Sequence, residues 1–427
     1  MAPVIGVLLT KLASSAVRNQ LRDDDFIDQL NHWASTGILT ALALGIGAKQ
    51  YVGDPIHCWV PAEYKKKHYQ KYSDSYCWIH PMYSFSFDDP VPFDPAERWF
   101  NDISYYRWVF IMFLLQAFLF KFPNLVWKNL KNLSGLNVSK LVGMAWDTHM
   151  MTQEKRDEKM EHMAIFIDQW LKTYAQYKYS TLTQFRDKFS YLMFCFGRRS
   201  GTYLHGLYMF VKLLYFTNVI GQFFLLSAFL DLNFWTFGFS AMTTLRKQGN
   251  WQDHYNFPRI GLCDYKVRQL ENVQTFTVQC VLSINLFLEK MYLLLWFWLI
   301  MVLIFDSVNL CQWTVRGLMP NSGESFINKY LVLLEIDPKK DKKLFVKFVH
   351  RYLRSDGVFV LRMMAVNTSE ILILDLMRHL WKRFQDNYSL KEDQDGVAAP
   401  NGSSPGVSPS APVIEDSDYS LPPKKIE

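Results

Sequence analysis

The chain reads as an all-α membrane protein: a four-transmembrane-helix subunit with disulfide-linked extracellular loops, some of them β, and a helical cytoplasmic domain. Three observations predict this class. Four apolar runs are long enough to cross a bilayer core, the loop between the second and third is crowded with cations, and four of the six cysteines fall in pairs on the other two loops. Half of the 427 residues are hydrophobic and 16% are aromatic. The formal charge of +6 is modest, and no basic helix or finger motif accompanies it, so no nucleic-acid partner is expected.

The amino-terminal segment, 1–30, opens with the short apolar stretch APVIGVLLT. Lys11 follows that stretch rather than preceding it, so a cleaved signal peptide is not expected. A segment lying at the membrane or in a pore fits better. Asp23, Asp24, Asp25 and Asp28 come just before the first span. Repeated around a ring of subunits they would favour cations; a solvated loop or helix cap is at least as good a reading.

The first span, 31–52, carries Gly37, Ala41 and Gly45 at four-residue spacing, hence on one face. Small residues there let helices approach closely, which suits both a pore-side helix and ordinary packing. Asp54 follows, either as a charge filter or as part of a Gly53-Asp54-Pro55 turn. Segment 53–104 is the first outer loop.

The second span, 105–127, is YYRWVFIMFLLQAFLFKFPNLVW. Its length as a helix is about 34 Å, close to a bilayer core. Tyr105, Tyr106, Arg107 and Trp108 open it, and Lys121, Trp127 and Lys128 lie near its far end. Interfacial aromatics and snorkelling cations account for that pattern. Pro123 removes a backbone hydrogen bond, giving a static bend or a gating hinge.

Segment 128–203 holds twelve Lys and Arg, from Lys128 to Arg199, whereas acids outnumber cations in 53–104. The positive-inside rule therefore puts 128–203 and both termini in the cytoplasm. The third span is 204–230, with Lys212 about two turns in and expected to snorkel. The second outer loop is 231–285 and the fourth span 286–310. A cytoplasmic helical module follows at 311–385, with Asp356-Gly357 as its expected break. The polar, Ser/Pro/Gly-rich tail 386–427 is expected to be disordered.

This topology places Cys58 and Cys77 in one outer loop and Cys263 and Cys280 in the other, where thiols oxidise. Three connectivities are open. A nested pair, Cys58–Cys280 with Cys77–Cys263, is preferred because Cys58 and Cys280 both lie near span ends. A zinc site on His57, Cys58, Cys77 and His80 is the weaker alternative, so no metal and no cofactor is expected. All five glycosylation sequons, at Asn132, Asn137, Asn367, Asn387 and Asn401, fall in segments assigned to the cytoplasm. The outer surface is left bare, by chance or for the close approach of another protein. No phosphate-binding loop or hydrolase motif suggests an enzyme. The final Lys424-Lys425-Ile426-Glu427 has the form of a retrieval signal for transient retention in the endoplasmic reticulum.

The stretch YYRWV followed by LLQAFLFKFPNLVWK resembles the innexin signature, as do YVGDPIHCWVPAEY, LCDYKVR and DGVFVLRMM. The likeness runs to about residue 385. It implies a gap-junction subunit of the plasma membrane, with eight copies per hemichannel, hemichannels docked between adjacent cells, and passive passage of ions and small metabolites. It also implies an amino-terminal funnel in the pore, built from Ala2, Pro3, Val4 and Ile5, and leaves assembly with itself or with other innexins open. Arg107 departs from the family, which usually has Gln there. That residue would anchor to lipid headgroups, pair with Asp102 or repel cations. An undocked hemichannel and a non-conducting tetraspan adhesion protein remain the competing readings.

Overall fold

The structure is a computed structural model that describes residues 24–60, 67–85, 90–98, 102–148, 150–176, 201–249, 251–336 and 341–396. Ala2, Pro3, Val4, Ile5, Asp23, Cys195 and the terminal dilysine lie outside the described residues. The chain divides into two units, 1–381 and 382–427.

Three described helices are long and apolar enough to cross a membrane: Val109–Ser134, Tyr203–Leu230 and Ser283–Gly317, of 26, 28 and 35 residues. Only 39%, 33% and 33% of their apolar windows are buried within the subunit, so most of each surface faces outward. The first apolar run differs from expectation. The helix that carries it begins ahead of the run as α1 (Phe26–Gln29), passes through a π-helical turn at Leu30–Ser35, and continues as α2 (Thr36–Tyr51). The α-helical part has 16 residues, about 24 Å, which alone is short for a span. Hydropathy does not register a π-turn, because the turn changes backbone bonding and not composition.

After α2 come β1 (Ile56–Cys58), α3 (Lys67–Ile79) and α4 (Pro95–Arg98). A 3₁₀ turn at Ser104–Arg107 leads into α5 (Val109–Lys131), with Pro123 buried inside a continuous helix. Then follow α6 (Val138–Asp147), α7 (Gln153–Gln176), α8 (Tyr203–Leu230) and α9 (Phe234–Gln248). The hairpin β2 (Ile260–Gln269) and β3 (Asn272–Leu282) runs straight into α10 (Ser283–Leu318). The final helices are α11 (Pro320–Leu333), α12 (Lys342–Lys347), α13 (Arg354–Asn367) and α14 (Glu370–Gly396).

Aromatic side chains fill the core between the long helices. Phe113, Phe223, Phe234, Phe257, Tyr292 and Trp296 are all buried there. Gly238 of α9 lies against the Trp296 indole so closely that a Cβ would collide with the ring. Gly47 of α2 likewise takes the Phe110 ring, 3.1 Å from where a Cβ would sit.

Two sequence expectations fail in the carboxyl-terminal part. Asp356 and Gly357 do not break a helix; both are buried inside α13, where a Cβ on Gly357 would meet Leu353 at 3.2 Å. Close packing, not a turn, is what the glycine allows. The irregularity comes earlier, as a π-turn at Phe348–Leu353. Helix α14 also continues to Gly396, past the expected boundary at 385. Residues such as Leu390, Lys391, Glu392 and Gln394 favour a helix, and no proline intervenes before Pro400.

The three strands form one antiparallel sheet in the order β1-β3-β2. Cys58 sits directly opposite Cys280 in the β1–β3 register, and the two are disulfide-bonded. Cys77 of α3 is bonded to Cys263 of β2. The bridges join residues 222 and 186 positions apart. Both loops thus belong to one sheet. A polar clasp reinforces it: Asp264 accepts from Arg98 Nη1 at 2.8 Å, Tyr83 Oη at 3.0 Å and Thr277 Oγ1 at 2.6 Å. Burial, then the Asp264 charge, pushes the Tyr83 phenol up to about 12.

Loops this long make each bridge, taken singly, worth about 5 kcal/mol in the chain-entropy picture. Replacing Cys77 and Cys263 together by Ser should therefore abolish a stable sheet. Gel mobility without reductant and protease sensitivity of 53–104 would report it; an unchanged proteolysis pattern would contradict the assignment.

Candidate functional site

The chemistry-bearing side chains gather at two places: the sheet end of the bundle, and the opposite end, where α1, α5, α8, α10 and α13 converge.

At the sheet end, the signature residues face inward more than an interfacial belt requires. Tyr106 is fully buried, its ring 5.0 Å from Trp78, and its carbonyl accepts from Gln50 Nε2 at 2.7 Å. Tyr105 Oη donates to the Asn256 carbonyl at 3.0 Å, tying the span to the second loop. Trp108 alone of the aromatics in this quartet is exposed, at 58%, as an interfacial anchor would be. Arg107 donates to the Ile79 carbonyl, while Asp102 accepts from the Ser104 amide at 3.1 Å. The Arg107–Asp102 pair, one of the three alternatives for Arg107, is not formed. Asp54 is exposed just past the bend at Gly53.

Gly37, Ala41 and Gly45 lie on one exposed face of α2. A Cβ on Gly37 would meet nothing within 4 Å, and one on Gly45 only the tip of Met291. The stripe does not pack inside the subunit; Gly47, which the spacing argument missed, does.

The opposite end is built around Lys212. Sequence reasoning expected this lysine to snorkel. Instead its side chain is 3% exposed and its ammonium contacts Asp28 Oδ1 at 2.7 Å and Asp25 Oδ2 at 3.1 Å. The same carboxylates accept from Tyr208 Oη at 2.7 Å and Trp313 Nε1 at 2.6 Å. Asp24 is held by His32 Nε2 at 3.0 Å and Asn124 Nδ2 at 3.3 Å. Asn31 donates to Asp306 at 2.6 Å. Asp24, Asp25 and Asp28, which the sequence leaves open as a pore-mouth ring or as a solvated loop or cap, are turned into the subunit, where a buried ammonium needs counter-charge. Only contacts across 184 and 187 positions reveal this, and no local pattern encodes them.

Burial is the largest influence on both acids. It pushes Asp28 above the usual carboxylate range despite Lys212. For Asp24 the His32 hydrogen bond and the charges of His32, Lys131 and Lys128 outweigh burial and hold it below.

Phe359, from the DGVFVLRMM stretch, inserts among the helix ends. Its ring lies 5.2 Å from Tyr208, 5.9 Å from Trp313 and 6.3 Å from Trp127. Beside it, Asp356 Oδ1 accepts from the His205 backbone N–H at 3.1 Å. Its own amide donates to the Gly201 carbonyl at 2.7 Å. A side chain from α13 thus caps the start of α8, where the first amides lack intrahelical partners. Burial pushes the Asp356 carboxyl up to about 7 against the amides of His205, Leu204 and Tyr203, which lower it.

Two outcomes follow from this end of the bundle. Lys212→Met strands two buried carboxylates and should cost about 3–5 kcal/mol, with Asp28→Asn in the same chain recovering part of it. Thermal melting of the detergent-purified protein, run as a double-mutant cycle, reads the coupling. Asp356 has a pKa raised from its ordinary 3.8. Its contribution is thus fully present below that value and is lost as pH rises through about 7. Asp356→Asn keeps an acceptor oxygen but cannot ionise. The wild-type melting temperature should fall more between about pH 5 and pH 8 than that of the variant; parallel curves would show that Asp356 does not titrate there.

The sequence model of one family, Innexin, matches residues 24–384. Innexin unc-9 of Caenorhabditis elegans is 37% identical over 384 residues, covering 90% of this chain and 98% of that protein. Innexin-11 of the same organism is 33% identical over 377 residues, covering 85% of this chain and 80% of its own. Innexin-3, also from Caenorhabditis elegans, is 31% identical over 384 residues, with 90% and 89% covered. The matched region takes in each of the long apolar helices, both disulfide bridges, the Lys212 cluster and the Phe359 insertion. The chain belongs to the innexin family.

Proposed function

We propose that the chain is a structural subunit of a gap junction. In this reading it assembles into an oligomeric, large-pore hemichannel in the plasma membrane, with both termini in the cytoplasm. Two hemichannels dock between adjacent cells and pass ions and small metabolites passively. Eight subunits per hemichannel is the number the family resemblance implies.

The observation that carries the reading is the innexin match from residue 24 to residue 384. Two features of the fold support it. Both loops at one end are bolted into a single sheet by two disulfides, which gives a rigid face suited to docking. The small-residue face of α2 is left uncovered by its own subunit. That face is available to a lumen or to a neighbouring protomer.

Paired cells expressing only this chain, measured against single cells from the same culture, test the proposal. Current between the pair, absent from non-expressing controls, is the expected result. Surface delivery without junctional or single-cell current would leave adhesion as the better account. Current in single cells alone would favour an undocked hemichannel.

A further inference from the structure

Where the start of α8, the end of α10 and the π-turn before α13 meet, they enclose an open cavity of about 340 Å³. That is within the range of small-ligand sites. Its charged lining is basic: Arg316 from α10 and Arg354 and Arg362 from α13, with the imidazoles of His205 from α8 and His350 from the π-turn beside them. Two acids lie close by and both are engaged. Glu324 accepts from His350 at 2.7 Å, and Asp356 accepts from the His205 amide. Among the described residues no carboxylate forms an ion pair with Arg316 or Arg362. Arg362 gives its Nη2 to the carbonyl and hydroxyl of Ser322, which are neutral. Burial, then the nearby charge of Arg316, holds the Arg362 guanidinium below its usual range. Like charges gathered beside one another carry an electrostatic cost that an anion filling the space would relieve.

The floor is apolar and firm. Trp313, Val349, Val358 and Phe359 line it, and Arg316 stacks over the Trp313 ring at 5.6 Å. Guanidinium groups are suited to phosphate because their planar forks bind two oxygens at once. The depth is also apt. Arg316 is six residues past the expected span end at 310, about 9 Å further along the helix and so near headgroup level.

We propose that this cavity binds a ligand bearing clustered phosphates, supplied as the headgroup of an anionic lipid or as a soluble polyphosphate. The ligand would join α10 to α13 through Arg316 and Arg362, across the joint that Phe359 fills. The proposal needs the fold but not conduction, so it stands or falls apart from the channel reading.

The full-length protein, purified in detergent, is titrated with short-chain phosphatidylinositol bisphosphate and separately with inositol hexakisphosphate. Thermal melting and native mass spectrometry read binding. At least one probe should bind and raise the melting temperature. Arg316→Gln with Arg362→Gln should weaken that binding about tenfold or more, since each charged hydrogen bond lost is worth at least a kcal/mol. Lys329→Gln, a surface change away from the cavity, should leave it unaltered. Binding of the lipid probe alone identifies a leaflet ligand, and binding of the soluble probe identifies a free one; each supports the site. Arg316→Gln alone serves as the comparison if the double variant does not fold. Failure of both probes to bind, or equal binding to the glutamine variant, overturns the proposal.

Discussion

An ammonium group held away from water must find negative charge within a few ångströms, and Lys212 dictates much of this fold on that ground. Its partners, Asp25 and Asp28, come from the stretch that precedes the first apolar run. Satisfying the lysine therefore draws that stretch under the bundle. The same carboxylates engage Tyr208 and Trp313, so α1, α8 and α10 are fixed to one another by charge-assisted bonds. Phe359 then packs on the aromatic surface those bonds create, and the carboxyl-terminal helices are seated by it.

The two ends of the bundle are secured by different physics. The sheet end is covalent. Its geometry resists changes of pH and salt because disulfides do not titrate. The opposite end rests on buried charges, a carboxylate cap and aromatic packing, and the first two of these respond to protonation. Asp356 illustrates the contrast. It neutralises orphan amides at the start of α8, yet burial holds its carboxyl near 7, so the cap is sensitive in a range where the sheet is not.

Hydropathy made the long apolar helices readable, because it is local and additive. Three long apolar helices are found, and the signature residues occupy the start of one. The four bonded cysteines stand out in the sequence because they fall as one pair in each of the two loops that the sheet joins. What escaped was everything set by long-range pairing. Lys212 and Asp28 show no spacing that links them, and each alone has a blander explanation. Tyr105, Tyr106 and Trp127 carry the composition of an interfacial belt, yet they turn inward to bind a neighbouring loop or helix. Such a choice depends on what packs opposite, which a single strand of sequence does not express. Asp356-Gly357 misled for a related reason: the dipeptide that often makes a turn was needed for a cap and a close contact.

The nested disulfides also impose an order on biosynthesis. Ribosomes add roughly 5–20 residues each second. Cys58 must therefore wait on the order of ten to forty seconds before Cys280 even exists. Cys58 and Cys77 thus exist together, without their partners, before either Cys263 or Cys280 has been made. Correct pairing is thus a matter of timing as well as of shape.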